Sequence, residues 1–305
     1  MRILITTGLS KNDVGGPAQY AGNLKAEFEK IGHKVMVAKY GSIERSIIAL
    51  WRQIIWADFI LALDTFSVGF PSVLWAKVFR KKIIVRVGGD FLWSVYVNRT
   101  RKSLTLPGFY ENMPKLNAKE RIIFALSKWA IRNASYLAFN TEWQRKIWRD
   151  FYKLSESKIG VVRNFIPESQ AGVMSSRQNF LWAGRLIPEK NTEMLKRLGI
   201  EIVTGESHEK VLERIRNCYA VVSLAFTDVC PNFIIEGISS GKPFIMTKYT
   251  GLNELFPKSG IFVEPRNEEE VREAMRNLNK IQVEEIKSYS WGEMAQEYLD
   301  IWKKI

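Results

Sequence analysis

Short β-rich runs alternate with segments of helical period along almost the whole chain, and the alternation occurs twice. Strand, helix and strand in strict succession leave little choice of architecture: neighbouring strands become parallel, joined by crossover helices that cover a sheet. In the first half RILITT, KVMVAKY, DFILAL, KIIVRV, YLAFNT and KIGVVRNF read as strands. Helices are expected from about Pro17 to Ile31, around Ser72 to Phe79, over 118–134 and from Glu142 to Tyr152. A further helix is expected over 43–56, where Ile43, Ile47, Ile48, Trp51, Ile54 and Ile55 recur at helical spacing. Between Asn98 and Asn117 the periodicity vanishes while Arg99, Arg101, Lys102, Pro107, Gly108 and Pro114 accumulate, which predicts a long loop of binding or lid type.

A polar stretch, PESQAGVMSSRQ, then reads as an interdomain connection. Beyond it the pattern resumes, with strands expected at NFLWAG, IEIVTG, YAVVSLA, PFIMTK and GIFVEP and helices at 191–198, 207–216, 232–240, 252–256 and 267–279. The last stretch, SWGEMAQEYLDIWKKI, is an amphipathic helix. The fold class is therefore α/β, with two doubly wound domains and a ligand cleft expected between them at the carboxyl ends of the strands.

Residue scarcity prunes the chemistry. Only Cys218 and Cys230 occur, so there is no disulfide framework and a reducing, cytoplasmic setting is expected. Only His33 and His208 are present, which removes two-histidine zinc motifs and Cys/His metal clusters, and no G-x-S-x-G elbow supports a serine hydrolase. His33 reads as a structural residue before a strand, and His208 as an exposed one in a charged helix start. No apolar stretch reaches the roughly 20 residues of a membrane helix, so any membrane contact is expected to be peripheral, at an inner membrane face.

Charge is concentrated. Residues 1–165 hold 27 Lys+Arg against 12 Asp+Glu, and the remainder holds 18 against 20, so the formal net charge of +13 belongs to the first half. Such a surface attracts anionic membrane, phosphorylated substrates or nucleic acid, but no nucleic-acid motif accompanies it, and nucleic acid is not expected as a partner.

Three segments carry candidate chemistry. Gly15-Gly16-Pro17 follows the first strand and opens a helix, giving either an anion site built from backbone amides or a plain tight turn. WAGRLIPEKN sets Arg185 and Lys190 five residues apart in the loop leaving a strand, where two cations can clamp a diphosphate. TDVCPNFIIEGISSGKPFIMT places Asp228 in a loop, Asn232 and Phe233 with free amides at a helix start, and Glu236 one turn later among apolar neighbours, a carboxylate that is costly to bury unless paired or bound to hydroxyls.

In this order and spacing the segments resemble the family 4 retaining glycosyltransferases of the GT-B fold, along nearly the whole chain. The resemblance rests on Gly15-Gly16, Gly32-His33-Lys34-Val35, Arg163-Asn164, Gly184-Arg185 with Lys190, and Asp228 with Glu236 seven residues between them. It implies two Rossmann-like domains facing a central cleft: an acceptor-side domain over 1–166, a nucleotide-sugar donor domain over 167–288, and a helix over 289–305 crossing back onto the first. It further implies that Gly15, Gly16, Arg185, Lys190, Asp228, Asn232, Phe233 and Glu236 bind the donor. In those roles Arg185 and Lys190 hold the diphosphate, Glu236 the ribose and Asp228 the sugar hydroxyls. Asp90, in RVGGDFLW, is the candidate for orienting the acceptor. The catalytic set so implied is Asp90, Asp228, Arg185 and Lys190, with no metal and no cofactor, the nucleotide-sugar being a substrate.

Three departures stand out. The first acid is Asp rather than Glu, one methylene shorter, and the family's His-Asp appears as Gly89-Asp90. The segment from Leu198 to Ala220 is short, which implies an abbreviated base-recognition region. The implied activity is transfer of a sugar from a nucleoside-diphosphate sugar to a hydroxyl acceptor, a glycolipid or cell-surface glycan precursor, anionic or lipid-linked. Two alternatives stay open: a catalytically silent protein of this fold on an anionic membrane surface, and a nucleotide-sugar epimerase.

Overall fold

The structure, a computed structural model, describes residues 1–8, 16–40, 42–169 and 178–305. In chain order the first elements are β1 (Arg2–Thr7), α1 (Gly16–Lys30), β2 (Lys34–Lys39), α2 (Ile43–Trp56), β3 (Phe59–Ala62), α3 (Gly69–Val78) and β4 (Ile84–Val87). There follow α4 (Phe91–Thr100), α5 (Leu106–Glu111), α6 (Ala118–Asn133), β5 (Tyr136–Phe139), α7 (Glu142–Tyr152) and β6 (Ile159–Val161). Next come β7 (Phe180–Ala183), α8 (Thr192–Arg197), β8 (Glu201–Val203), α9 (His208–Asn217), β9 (Ala220–Ser223), α10 (Asn232–Ser239) and β10 (Phe244–Thr247). The chain closes with β11 (Gly260–Val263), α11 (Glu268–Asn277) and α12 (Trp291–Lys304).

The chain divides into two compact units, one of Met1–Leu92, Lys115–Arg163 and Ser290–Ile305, the other of Trp93–Pro114 and Asn164–Tyr289. The first is built on a six-stranded parallel sheet ordered β2-β1-β3-β4-β5-β6. Its central strands β3 and β4 are buried at every position, as expected where helices cover both faces. Helix starts follow local chemistry: Ser42 accepts from the Arg45 amide, Thr141 from the Gln144 amide, and Asn117 with Glu120 forms a capping box. The final helix α12, capped by Ser290 and Glu293, packs on α1: the Tyr20 and Tyr298 hydroxyls hydrogen-bond at 2.9 Å, and Trp302 stacks on Phe59.

The second unit holds a five-stranded parallel sheet ordered β11-β10-β9-β7-β8. Successive side chains of β9 leave opposite faces and found two cores. Val221 joins Ile234, Ile235 and Ile238 of α10 on one face. Ala220 and Val222 join Met194 and Leu195 of α8 and Val271 of α11 on the other. Gly237 lets α10 approach closely, because a Cβ there would lie 2.4 Å from Val221 Cγ2.

The segment 98–117, expected as one long loop of the first domain, is not that. Helix α4 runs to Thr100, and α5 begins after Thr105, whose hydroxyl accepts from the Gly108 amide while Pro107 occupies the first turn. From Trp93 to Pro114 the chain belongs to the second unit. The helix expected over 252–256 is a single 3-10 turn, Leu252–Glu254.

Candidate active site

In a doubly wound sheet the ligand crevice lies where strand order reverses, outside the carboxyl ends of the strands. In the second sheet the chain goes from β7 outward to β8, then returns to β9 on the other side of β7. The reversal is thus flanked by the loop after β7, which carries Arg185 and Lys190, and the loop after β9, which carries Asp228.

The structure brings two of these residues together. Lys190 Nζ lies 3.0 Å from Asp228 Oδ2, and both side chains are largely buried. Ser223 Oγ, at the end of β9, donates to the same carboxylate oxygen at 2.9 Å. The loops are also tied through their backbones, since the Phe226 amide donates to the Glu189 carbonyl. Arg185 stands exposed and makes no ion pair among the described residues.

Helix α10 starts three residues after Val229 with Pro231 as its cap residue and no side-chain cap. The amides of Asn232 and Phe233 take no hydrogen bond among the described residues, and the positive end of the helix dipole adds to their pull on an anion. Asn232 Oδ1 accepts from Asn164 Nδ2 at 3.0 Å, and Asn164 also donates to the Cys230 carbonyl, so the turn after the first half is anchored to this helix start. Burial pushes the Glu236 carboxyl up from its ordinary value, and a 2.9 Å bond from His208 Nε2 to its Oε1 partly offsets that rise.

Several residues that carry this geometry were invisible in the sequence. Glu189, buried beside Lys190, accepts from the Ser94 hydroxyl and from Asn98 Nδ2, while its own amide donates to Asn98 Oδ1. Thr227, beside Asp228, accepts from the Leu106 amide at 2.8 Å. The α4–α5 segment is therefore pinned next to both members of the Lys190–Asp228 pair. His208 is exposed, as read from sequence, and it also reaches Glu236 from another helix. The spacing of 91 residues between Asn98 and Glu189, and of 28 between His208 and Glu236, leaves no local pattern to find.

The remaining predicted positions lie in the first unit or outside the described residues. Asp90 follows β4, is buried, and accepts from Trp148 Nε1 at 3.1 Å; Asn140 Nδ2 donates to the Gly88 carbonyl just before it. Gly16 opens α1, and Gly15 lies outside the described residues.

Residues 162–280 match the family model for glycosyl transferases group 1. Solved structures share the fold over almost the entire chain. The sucrose-phosphate synthase of Thermosynechococcus elongatus is 11% identical with a TM-score of 0.69, covering 98% of this chain and 94% of that one. WaaG, a glycosyltransferase involved in lipopolysaccharide biosynthesis, is 12% identical at a TM-score of 0.63, covering 98% and 95%. The UDP-GlcNAc 2-epimerase of Methanocaldococcus jannaschii, solved with UDP-GlcNAc and UDP, is 13% identical at 0.59, covering 99% of each chain. No curated protein sequence matches significantly. The chain has the two-sheet GT-B fold of glycosyltransferases, and its residues 162–280 carry the group 1 glycosyltransferase signature.

Proposed function

We propose that the protein is a retaining glycosyltransferase that moves a sugar from a nucleoside-diphosphate sugar to a hydroxyl acceptor, a glycolipid or cell-surface glycan precursor. The family match and the fold support glycosyltransferase activity; the observation that carries the finer reading is the Lys190–Asp228 pair at the strand-order reversal, with the free amides of α10 beside it. The chemical task is to stabilise a departing nucleoside diphosphate. Lys190 and the α10 amides supply positive charge and dipoles fixed in place before the reaction, and Arg185, exposed in the same loop as Lys190, adds a second cation, without calling on a metal. As the diphosphate takes up Lys190, the Asp228 carboxylate is released to accept hydrogen bonds from sugar hydroxyls. Glu236 accepts from the ribose.

The incoming acceptor hydroxyl, oriented by Asp90, attacks the anomeric carbon on the face the diphosphate leaves. The bond from that carbon to the phosphate oxygen breaks, a new one to the acceptor oxygen forms, and the acceptor proton passes to the leaving phosphate.

Replacing Lys190 or Arg185 by Ala is expected to weaken nucleoside diphosphate binding about tenfold or more, the scale of one lost charge-assisted contact. Calorimetry with a panel of nucleoside diphosphates checks this, and unchanged affinity in both variants removes the clamp. Product analysis with each nucleotide-sugar separates transfer or hydrolysis from epimerisation, in which the sugar stays on the nucleotide or leaves with altered configuration.

A further inference from the structure

Helix α2 is built inside out on one side. Its buried face, Ser46, Leu50 and Ile54, packs inward, so the opposite face should be polar. Instead that face carries Ile48, Trp51 and Ile55, spaced three and four residues apart and 75%, 37% and 44% exposed. The other helices of this layer also expose apolar side chains. Helix α3 packs on α2, and α6 on α3, and their outward residues include Val78 at 57% and Ile122 at 58%.

Around these apolar residues the charge is almost all of one sign. Residues 43–56, 69–82 and 118–133 together hold ten Lys+Arg against two acids. Glu120 is one of the two, buried in its capping box, which leaves Glu44 as the exposed acid of these stretches; Asp58, just past α2, is paired with Arg2 at 2.7 Å. Arg52 lies over the Trp51 ring at 5.0 Å, and Lys81 binds the carbonyls of Ile55 and Ala57, so cations rim the stripe closely. Apolar and indole side chains flanked by Arg and Lys are what seats a helix face at the boundary between lipid headgroups and acyl chains.

We propose that the α2–α3–α6 face of the first unit is a docking surface for an anionic lipid bilayer, with Ile48, Trp51 and Ile55 entering the interface and Arg45 and Arg52 meeting headgroup phosphates. A second copy of the chain is a poor occupant, because it would bring the same excess of cations against this one. The attachment goes beyond the transferase reading and does not depend on it, since lipid binding and nucleotide binding are measured separately.

The test is cosedimentation of the full chain with phosphatidylglycerol-containing vesicles and with pure phosphatidylcholine vesicles, at low and high salt. Binding is expected to the anionic vesicles alone and to weaken as salt rises. The paired variants Ile48→Ser/Ile55→Ser and Arg45→Ser/Arg52→Ser should each lower partitioning about tenfold. Both pairs are exposed, so nucleoside diphosphate affinity, measured by calorimetry, should not move; loss of that affinity without loss of vesicle binding would strike the transferase reading and leave this one intact. Equal binding to both vesicle types, no binding, or variants that bind as the parent does would overturn the proposal. So would self-association that Ile48→Ser/Ile55→Ser abolishes.

Discussion

Glu236 shows how one neighbour sets the usefulness of a carboxylate. With Ile234, Ile235 and Ile238 around it on α10, burial disfavours its charged form, and the His208 imidazole is the group that pulls the other way. A ribose hydroxyl is best held by the ionised carboxylate, which is lost as pH falls through the raised value. Nucleoside diphosphate affinity should therefore decline on acidification, and His208→Ala, by removing the lowering influence, should shift that decline to higher pH. Calorimetric titrations across the acid range give the midpoint, and a midpoint unmoved in the variant rejects the linkage. At this scale the sequence was legible where chemistry was local. Arg185, Lys190, Asp228 and Glu236 stood out because the two cations share the loop after β7, and the two acids share the loop after β9 and the helix it leads into. His208 did not, because α9 and α10 meet only after the sheet has formed.

The α4–α5 segment makes the same point for elements. Pro107, Gly108 and Pro114 looked like loop residues, yet Pro107 takes the first turn of α5, where a missing N–H costs nothing, and Thr105 caps that turn. Alternation of strands and helices was readable because parallel sheets demand crossover helices; a helix that docks on loops rather than on its own strands has no such pattern. Its docking rests on a buried carboxylate, Glu189, held by Ser94 and Asn98. Asn98→Ala leaves Glu189 short of a donor and its amide short of an acceptor, an expected cost of about 1–3 kcal/mol. Hydrogen exchange should then accelerate first at residues 186–191, the loop that carries Lys190, and exchange unchanged there counts against the anchoring.

Across the whole molecule, the charge asymmetry follows the units more closely than the midpoint of the sequence. Assigning 93–114 to the second unit and 290–305 to the first leaves the first with 26 Lys+Arg against 14 acids and the second with 19 against 18. Arg185 and Lys190 sit in the nearly neutral unit, so they do not account for the excess, most of which lies in the α2–α3–α6 layer.

The same partition bears on integrity. Helix α12 buries Met294, Ala295, Tyr298 and Leu299 in the first unit although it follows the second in the chain. Removing residues 290–305 should uncover the α1 face and lower the melting temperature by well over the ~2–4 °C that 1 kcal/mol is worth in a chain of this size. Circular dichroism melts decide it; a smaller fall would show that α12 is peripheral to the first unit.

The connectivity also imposes an order on biosynthesis. The chain passes between the units at Leu92–Trp93, Pro114–Lys115, Arg163–Asn164 and Tyr289–Ser290. As the polypeptide leaves the ribosome, Trp93–Pro114 must wait for partners from residues 164–289, and the first sheet waits for a helix that follows the whole second unit in the chain. Folding from the amino terminus can begin but not finish, so nascent chains carry an uncovered α1 surface until residues 290–305 have emerged.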